Sequence, residues 1–255
     1  PYEGKELSMD SPIREMDAKE ELVFPMSQHI GAPATPVVAV GDTVKMGQII
    51  GEASGFISAN IVSSVSGEVK AVEPRLLSSG AKATCVVIAN DGEYQPVEGL
   101  GADRDYTQLT KEEIRQIIKD AGIVGMGGAG FPTGVKLNIN LEETPMGELD
   151  PEINPELPKD FKLDCGYILV NAAECEPGLE HNTRQIEEQS DKLIRGIKYS
   201  MEITHAKKAI IAIKKKHHKA IKVLQKALEN EPDIKMHLMA DIYPMGEERA
   251  VVREC

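Results

Sequence analysis

The stretch GIVGMGGAGFPTGVK, from Gly122 to Lys136, holds six glycines in its first thirteen residues and ends on a lysine. Glycine lacks a Cβ atom, so a chain this rich in glycine can adopt left-handed backbone angles and can approach other groups closely. Converging backbone N–H groups in such a loop form a nest for an anion, and Lys136 adds a positive charge. The stretch therefore predicts a loop whose backbone approaches a phosphate.

A tight structural loop remains open as the alternative interpretation. The stretch is not a GxxxxGK[ST] P-loop, because neither Ser nor Thr follows Lys136. It also lacks the strand–GxGxxG–helix order of a dinucleotide site, because a helix precedes it. That helix is predicted within TKEEIRQIIKDAG, with Thr110 as its N-cap, Glu113 three residues later and Gly122 as its C-cap.

Composition restricts the class of protein. The chain has 255 residues, 41% of them apolar, and a net charge of −12. An acidic chain is a poor partner for nucleic acid, because phosphate binding needs a basic surface. No apolar run is long enough to span a bilayer, and the charged N-terminus resembles no signal peptide, so we expect a cytosolic protein. The four cysteines form no CxxC pair, so no metal or cluster site is predicted from local ligands.

Residues 22–95 are predicted to form a small all-β domain. The segments TPVVAVGDTVKMGQIIGEASG and SANIVSSVSGEVKAVE read as short strands separated by glycine-containing turns, and Ala83–Asp91 adds another strand. The pattern resembles biotinyl and lipoyl carrier domains and their barrel-sandwich relatives, in which a hairpin carries a modified lysine. No lysine lies between Gly51 and Glu68, and the hairpin tip falls near Phe56 and Ile57. A structural or docking role is therefore favoured over a swinging-arm role.

From about residue 165 the chain alternates between strands and helices. A buried strand is predicted at Tyr167–Asn171, and two further strands are predicted in KKAIIAIKK and DIKMHLMADIYP, with helices between the three. This order predicts a parallel sheet flanked by helices. The acidic, proline-rich segment 137–162 is predicted to be a surface loop.

Positive charge concentrates in one part of this region. The lysines between residues 207 and 226 are predicted to be a solvated surface, with a partner-docking patch as the alternative; they are Lys207, Lys208, Lys214, Lys215, Lys216, Lys219, Lys222 and Lys226. His217 and His218 are adjacent, so on a helix they point in different directions and do not predict a metal site.

Two acidic turns follow predicted strands. VNAAECEPG places Glu174 and Glu176 after the first strand, and YPMGEERAVV places Glu247 and Glu248 after the last one, where they open a helix. Ligands of open parallel sheets bind at the carboxyl ends of the strands. Glu174 and Glu176 are therefore candidates for binding sugar hydroxyls, while helix capping and turn formation remain the alternative for that turn.

Together, the glycine loop, NAAECEP and YPMGEE resemble the FMN-binding subunit of respiratory complex I and, more closely, the RnfC family of the Rnf electron-transport complex. The resemblance covers roughly residues 22–255. It implies a barrel-sandwich hybrid domain at 22–95 followed by a Rossmann-like α/β FMN- and NADH-binding domain at 107–255. YPMGEER departs from the usual RnfC sequence, which suggests a paralogue such as the RnfC-like PrdC proteins associated with D-proline reductase.

The resemblance also assigns roles by position. The implied FMN-binding residues are Gly125, Gly127, Gly128, Gly130, Lys136, Asn171, Glu174, Tyr243, Gly246 and Glu247. The implied NADH-facing residues are Phe131, Glu176 and Glu248. No residue is expected to act as a catalytic acid or base, because the cofactor carries the chemistry.

The function that the resemblance implies is NADH oxidation through FMN, with electrons passing to iron–sulfur clusters and then to other Rnf subunits or an amino-acid reductase. A docking or scaffold protein that kept the fold without flavin is the alternative. The resemblance further implies a cytoplasmic protein, held at the membrane face only through partner subunits. Because the chain stops inside the third motif, we expect an inactive fragment whose FMN domain is incomplete and whose [4Fe–4S] region is missing.

Overall fold

The computed structural model describes residues 3–126, 128–141 and 166–255. These residues pack as two units, which are described separately: the β unit, residues 16–138, and the α/β unit, residues 1–15 together with 139–255. Gly127 and most of the predicted acidic loop, residues 142–165, lie outside the described residues.

The described residues of the β unit form seven strands, the helix at Lys111–Asp120, a short helix at Thr133–Lys136 and a 3-10 turn at Tyr106–Gln108. The strands are β1 (Glu21–Pro25), β2 (Thr35–Pro36), β3 (Thr43–Val44), β4 (Ile49–Glu52), β5 (Ile61–Val62), β6 (Gly67–Leu76) and β7 (Lys82–Asn90). They form one sheet of order β1-β7-β6-β3 and a second of order β2-β4-β5, and all the strand pairs are antiparallel. Their apolar side chains form a core that includes Met26, Val44, Ile50, Val69 and Ile88.

The predicted hairpin lies between β4 and β5, which pair in antiparallel fashion. Phe56, at its expected tip, is 80% exposed. The β unit thus has the short strands and the hairpin that its glycine-punctuated sequence predicted.

Helix α1 (Lys111–Asp120) begins at the predicted capping box. Thr110 Oγ1 accepts from the Glu113 amide at 3.2 Å, and Glu113 Oε2 accepts from the Thr110 amide at 2.8 Å. The C-cap is Ala121 rather than Gly122, which follows it with a left-handed φ of 63°. The glycine loop comes next and leads into the short helix α2 (Thr133–Lys136).

The α/β unit contains a parallel sheet of order β10-β9-β8. Its elements are β8 (Tyr167–Asn171), α3 (His181–Thr204), β9 (Lys208–Lys214), α4 (His218–Ala227), β10 (Ile234–Met239) and α5 (Glu248–Glu254). Helices α3 and α4 pack on β9 through Ile186, Ile197, Ile211 and Leu224. The prediction of a buried strand at Tyr167–Asn171 was wrong about burial: β8 is an edge of the described sheet, and Tyr167 is 43% exposed.

An N-terminal arm, residues 3–13, packs within the α/β unit. The carbonyl oxygen of Glu3 accepts from the Gly178 amide at 2.7 Å, and the Ile13 amide donates to the Glu188 carboxylate at 3.2 Å. Between them, Lys5 Nζ donates to the Leu179 carbonyl at 2.8 Å. The arm is therefore part of the fold at the start of α3, although its sequence reads as a charged tail.

Within the described ranges, no helix combines the length and the apolar character that crossing a membrane requires.

Candidate functional site

The glycine loop of the β unit is closed at its base by backbone pairing. Val124 and Pro132 form an antiparallel bridge, and the Gly125 amide donates to the Phe131 carbonyl at 2.9 Å. The Thr133 amide donates to the Ile123 carbonyl at 3.0 Å. These bonds fix the base of the loop.

Three of the described glycines of this stretch lie close to other parts of the β unit. A Cβ atom on Gly122 would lie 2.4 Å from the Asn60 carbonyl oxygen, and one on Gly130 would lie 2.9 Å from the Gln28 carbonyl oxygen. On Gly134 it would meet Lys119 Cγ at 2.5 Å. These glycines therefore have a packing reason, which the tight-loop interpretation anticipated.

Gly128 differs from them. It has a left-handed φ of 58°, and a Cβ built on it would meet no described atom within 4 Å. The loop at this point borders a hollow of about 420 Å³, whose lining comprises Ser27, Gln28, His29, Ile30, Gly125, Met126, Gly128, Ala129 and Gly130. An exposed left-handed glycine beside a hollow is the arrangement expected where backbone N–H groups face an anion.

The other residues predicted in this region lie outside that lining. Lys136 is exposed at the end of α2, and Phe131 is 36% exposed in the loop. Met126, which does border the hollow, projects into solvent with 96% of its surface exposed.

In the α/β unit, the segments that follow the first and last strands are tied together at the carboxyl edge of the sheet. Asn171 Oδ1 accepts from the Ala173 amide at 3.1 Å, and its Nδ2 donates to the Gly246 carbonyl at 2.8 Å. The Gly246 amide donates to the Cys175 Sγ at 3.0 Å, and a Cβ on Gly246 would lie 2.9 Å from that sulfur. Gly246 is thus required for the close approach of the β10 loop to the β8 turn.

Glu174 is completely buried in this region. Its Oε1 accepts from Asn182 Nδ2 at 2.7 Å and lies 3.9 Å from His181 Nδ1. Its Oε2 meets no hydrogen-bond partner among the described residues. Burial raises the pKa of Glu174 above its ordinary value, because the charged form loses its hydration; His181 and Lys5 oppose the shift.

A second buried polar group involves the N-terminal arm. Lys5 Nζ lies 3.7 Å from Glu180 Oε1, and His217 Nδ1 lies 3.9 Å from Glu180 Oε2 and 3.4 Å from Thr183 Oγ1. Burial lowers the pKa of His217, since the charged imidazolium is disfavoured there, although Glu180 favours it.

The remaining predicted residues are at the surface. Glu176 is exposed after Glu174, and Tyr243 is 70% exposed after β10. Glu247 caps α5 by accepting from the Ala250 amide at 3.0 Å, and Glu248 is the exposed first residue of that helix. Glu247 and Glu248 therefore open a helix, as predicted, with Glu247 as its N-cap.

Three polar residues of the α/β unit were missed in the sequence. Lys214, assigned above to a solvated surface, is only 1% exposed: its Nζ donates to the Glu174 carbonyl at 3.1 Å and lies 3.8 Å from Asp241. Lys5 and His217 are buried as well. The signal for Lys214 was its place at the end of AIIAIK, where it continues a buried strand.

Among the residues that the structure describes, no group of three or more His, Cys, Asp and Glu side chains is arranged to hold a metal ion. Cys85 and Cys175 are free thiols.

Comparison with known proteins matches two family models. Residues 1–93 match the RnfC barrel sandwich hybrid domain, and residues 118–255 match the Nuo51 FMN-binding domain. These matches confirm the predicted fold class, a barrel-sandwich hybrid followed by an α/β FMN-binding domain.

Curated relatives match almost the whole chain. A subunit of the proton-translocating ferredoxin:NAD(+) oxidoreductase complex of Clostridium ljungdahlii is 36% identical over 99% of this chain and 50% of its own length. A subunit of the Na(+)-translocating ferredoxin:NAD(+) oxidoreductase complex of Acetobacterium woodii is also 36% identical, over 99% of this chain and 52% of its own length. A subunit of the ion-translocating oxidoreductase complex of Vibrio cholerae is 32% identical, over 99% of this chain and 30% of its own length. The chain thus spans about half or less of the length of these relatives.

The resemblance seen in the three motifs is confirmed by both family models and by these relatives. The chain therefore belongs to the RnfC family, with an RnfC barrel sandwich hybrid domain followed by a Nuo51 FMN-binding domain.

Proposed function

We propose that the protein is an electron-transfer subunit that binds FMN and oxidises NADH. The match of residues 118–255 to the Nuo51 FMN-binding domain carries this proposal. The names of the Clostridium and Acetobacterium relatives, which are subunits of ferredoxin:NAD(+) oxidoreductase complexes, agree with it.

The proposed FMN contacts come from the glycine loop and from the two acidic turns. They are the residues that the resemblance implied: Gly125, Gly127, Gly128, Gly130, Lys136, Asn171, Glu174, Tyr243, Gly246 and Glu247. Phe131, Glu176 and Glu248 are proposed to receive NADH. Glu176 and Glu248 are accessible, as residues that meet a diffusing substrate must be.

The glycine loop fits the phosphate of FMN. No described atom lies within 4 Å of where a Cβ atom of Gly128 would stand, beside the hollow of about 420 Å³. The described lining of the hollow includes no carboxylate that would repel an anion. Gly130, whose backbone is held against Gln28, would also fix the loop in place.

The residues of the chain bind and orient, while FMN when bound supplies the change from two-electron to one-electron chemistry. Lys136 would add one cation near the phosphate. Glu174, with a raised pKa, would offer a carboxyl that can hold its proton at Oε2, the oxygen without a described partner. Lys214 holds the turn that carries Glu174 through the bond to its carbonyl.

The onward path and the partners are also proposals. We propose that electrons pass to [4Fe–4S] clusters and then to other Rnf subunits, which would hold this subunit at the cytoplasmic face of a membrane. An amino-acid reductase such as D-proline reductase is the alternative acceptor. The genes neighbouring this one discriminate the two, because membrane Rnf genes and reductase genes mark different systems.

The domain limits stay a prediction. We propose that residues 22–95 form the barrel-sandwich domain and that residues 107–255 form the FMN domain. The packing of the chain places the boundary between the two units after residue 138, because α1 and the glycine loop pack within the β unit. The match to the FMN-binding domain, by contrast, already begins at residue 118.

The test is flavin binding by the protein expressed from its complete gene. FMN and riboflavin are titrated separately, and NADH is then added anaerobically while the visible flavin absorbance is followed. Preferential binding of FMN and bleaching by NADH are expected. A protein that binds neither flavin at saturating concentration would instead support the docking or scaffold alternative.

A further inference from the structure

The segment Ser27–Ile30 forms one wall of the hollow beside the glycine loop. The Ile30 amide donates to the Ala129 carbonyl at 2.8 Å, which ties this wall to the tip of the loop. Gly130 lies against the Gln28 carbonyl so closely that a Cβ atom would be excluded. The tip of the glycine loop is therefore carried by residues that lie far earlier in the chain, just after β1.

His29 holds that wall in place. It is 8% exposed, and its Nδ1 lies 3.0 Å from the Ile30 carbonyl oxygen. Its Nε2 lies 3.1 Å from the amide nitrogen of Ala59. Nε2 also lies 3.1 Å from the Ala59 carbonyl oxygen, so the imidazole contacts the backbone of both Ile30 and Ala59.

Ala59 lies immediately before β5. The next residue, Asn60, places its carbonyl oxygen against Gly122. The same stretch of the β unit thus contacts the base of the glycine loop directly and its tip through His29 and Ile30. A loop rich in glycine loses much conformational entropy when it is ordered. Because contacts at the base and at the tip already order the loop, ligand binding need not supply that part of the entropic cost.

We propose that His29 is a positioning residue for the phosphate site of the glycine loop, so that the barrel-sandwich domain preorganises the site. This inference rests on the proposed binding of FMN. His29 need not contact the ligand: it acts through Ile30 and Gln28 on the backbone of Ala129 and Gly130.

The proposal predicts a specific loss of affinity for the phosphate rather than for the flavin ring. FMN and riboflavin differ only in the phosphate, so the ratio of their dissociation constants measures its contribution. His29→Ala is expected to reduce the preference for FMN by about tenfold, the equivalent of one hydrogen bond's contribution. Riboflavin binding is expected to stay at the wild-type value.

Two further substitutions separate the bonds of the imidazole. His29→Gln can place its terminal amide near the position of Nε2 and keep the link to the Ala59 backbone, whereas the shorter side chain of His29→Asn can replace only Nδ1. The preference for FMN is expected to recover more in His29→Gln than in His29→Asn.

Ser63→Ala is the matched control. Ser63 is 2% exposed in the same unit, and its Oγ bonds the backbone of Val65 at 2.7 Å, but it does not line the hollow. It is expected to lower the melting temperature and leave the preference for FMN unchanged.

The outcomes are distinct. If His29→Ala melts earlier but keeps the wild-type preference, as Ser63→Ala is expected to do, His29 is only a core residue and the inference is wrong. If His29→Ala does not fold, equal preferences in the Gln and Asn variants overturn it. A wild-type protein that binds both flavins equally and is still reduced by NADH overturns this inference but not the proposed function, whereas failure to bind either flavin overturns both.

Discussion

The ammonium group of Lys214 donates to the carbonyl oxygen of Glu174 at 3.1 Å, with the lysine 1% exposed. This bond ties the end of β9 to the turn after β8. Asp241, at 3.8 Å, is the nearby carboxylate after β10. Lys214, the last residue of β9, thus contacts the segments that follow β8 and β10.

Replacing this lysine should destabilise the α/β unit. Lys214→Met keeps most of the apolar stem but leaves the Glu174 carbonyl without its donor, which should cost about 1–3 kcal/mol of unfolding free energy. Chemical denaturation followed by circular dichroism measures the loss. Lys222→Met, on the exposed face of α4, is the control and should change stability by less than about 0.5 kcal/mol. Equal effects of the two substitutions would show that the buried bond contributes nothing.

The buried carboxyl of Glu174 should make stability depend on pH. Its pKa is raised by burial above the ordinary 4.5, so the folded protein holds this proton more tightly than the unfolded chain. Its contribution is therefore fully present below that ordinary value and is lost as the pH rises through the raised one. Glu174→Gln should gain stability relative to wild type as the pH rises from about 5 to about 8. Parallel pH profiles for the two proteins would contradict a raised pKa.

His217 should make the protein less stable as the pH falls, the opposite of the effect of Glu174. Burial lowers its pKa below the ordinary 6.5, so its contribution is present above that value and is lost as the pH falls through the lowered one. His217→Gln should reduce the loss of stability on acidification, measured as the change in denaturation midpoint. His218→Gln is the neighbouring control, because His218 is exposed. If both variants lose as much stability as wild type when the pH is lowered, the pKa of His217 is not lowered in the folded protein.

Gly122 should tolerate no side chain. An L-residue at its φ of 63° costs about 1–2 kcal/mol, and the added Cβ would also lie 2.4 Å from the Asn60 carbonyl oxygen. Gly122→Ala should therefore destabilise the β unit more than Gly92→Ala, because Gly92 has a φ of 75° but open space around it. Thermal melting compares the two, and equal losses would mean that the backbone moves away from Asn60 at little cost.

Lys136 should strengthen FMN binding through one charged contact. Lys136→Ala is expected to weaken FMN by about 1.5–3 kcal/mol and to leave riboflavin unaffected. Lys45→Ala, an exposed lysine of the same unit, is the control in the same titrations. Unchanged FMN affinity would place Lys136 away from the phosphate.

Local signals were sufficient for much of the fold. Thr110 and Glu113 form the predicted capping box, and β8 spans the predicted Tyr167–Asn171, because both features depend on neighbouring residues. Burial was harder to predict, since it depends on packing between segments distant in sequence. For that reason β8 was expected to be more buried than it is, and Lys214 was expected at the surface.

The candidate site shows the same limit. Six glycines suggested a ligand, but three of them are explained by contacts that no local pattern reveals, with Asn60, Gln28 and Lys119. His29 lies in a segment without a recognisable motif, and its importance is visible only from its bond to Ala59.

The N-terminal arm makes the α/β unit discontinuous in sequence, which has a consequence for protein synthesis. Lys5 and the Leu179 carbonyl that it binds are 174 positions apart. At elongation rates of about 5–20 residues per second, Leu179 is translated about 10–35 s after Lys5. The whole β unit emerges during that interval and can fold first. The nascent chain therefore completes its second unit by recapturing a segment that was synthesised long before, and the exposed arm is the part that a chaperone or a protease meets in the meantime.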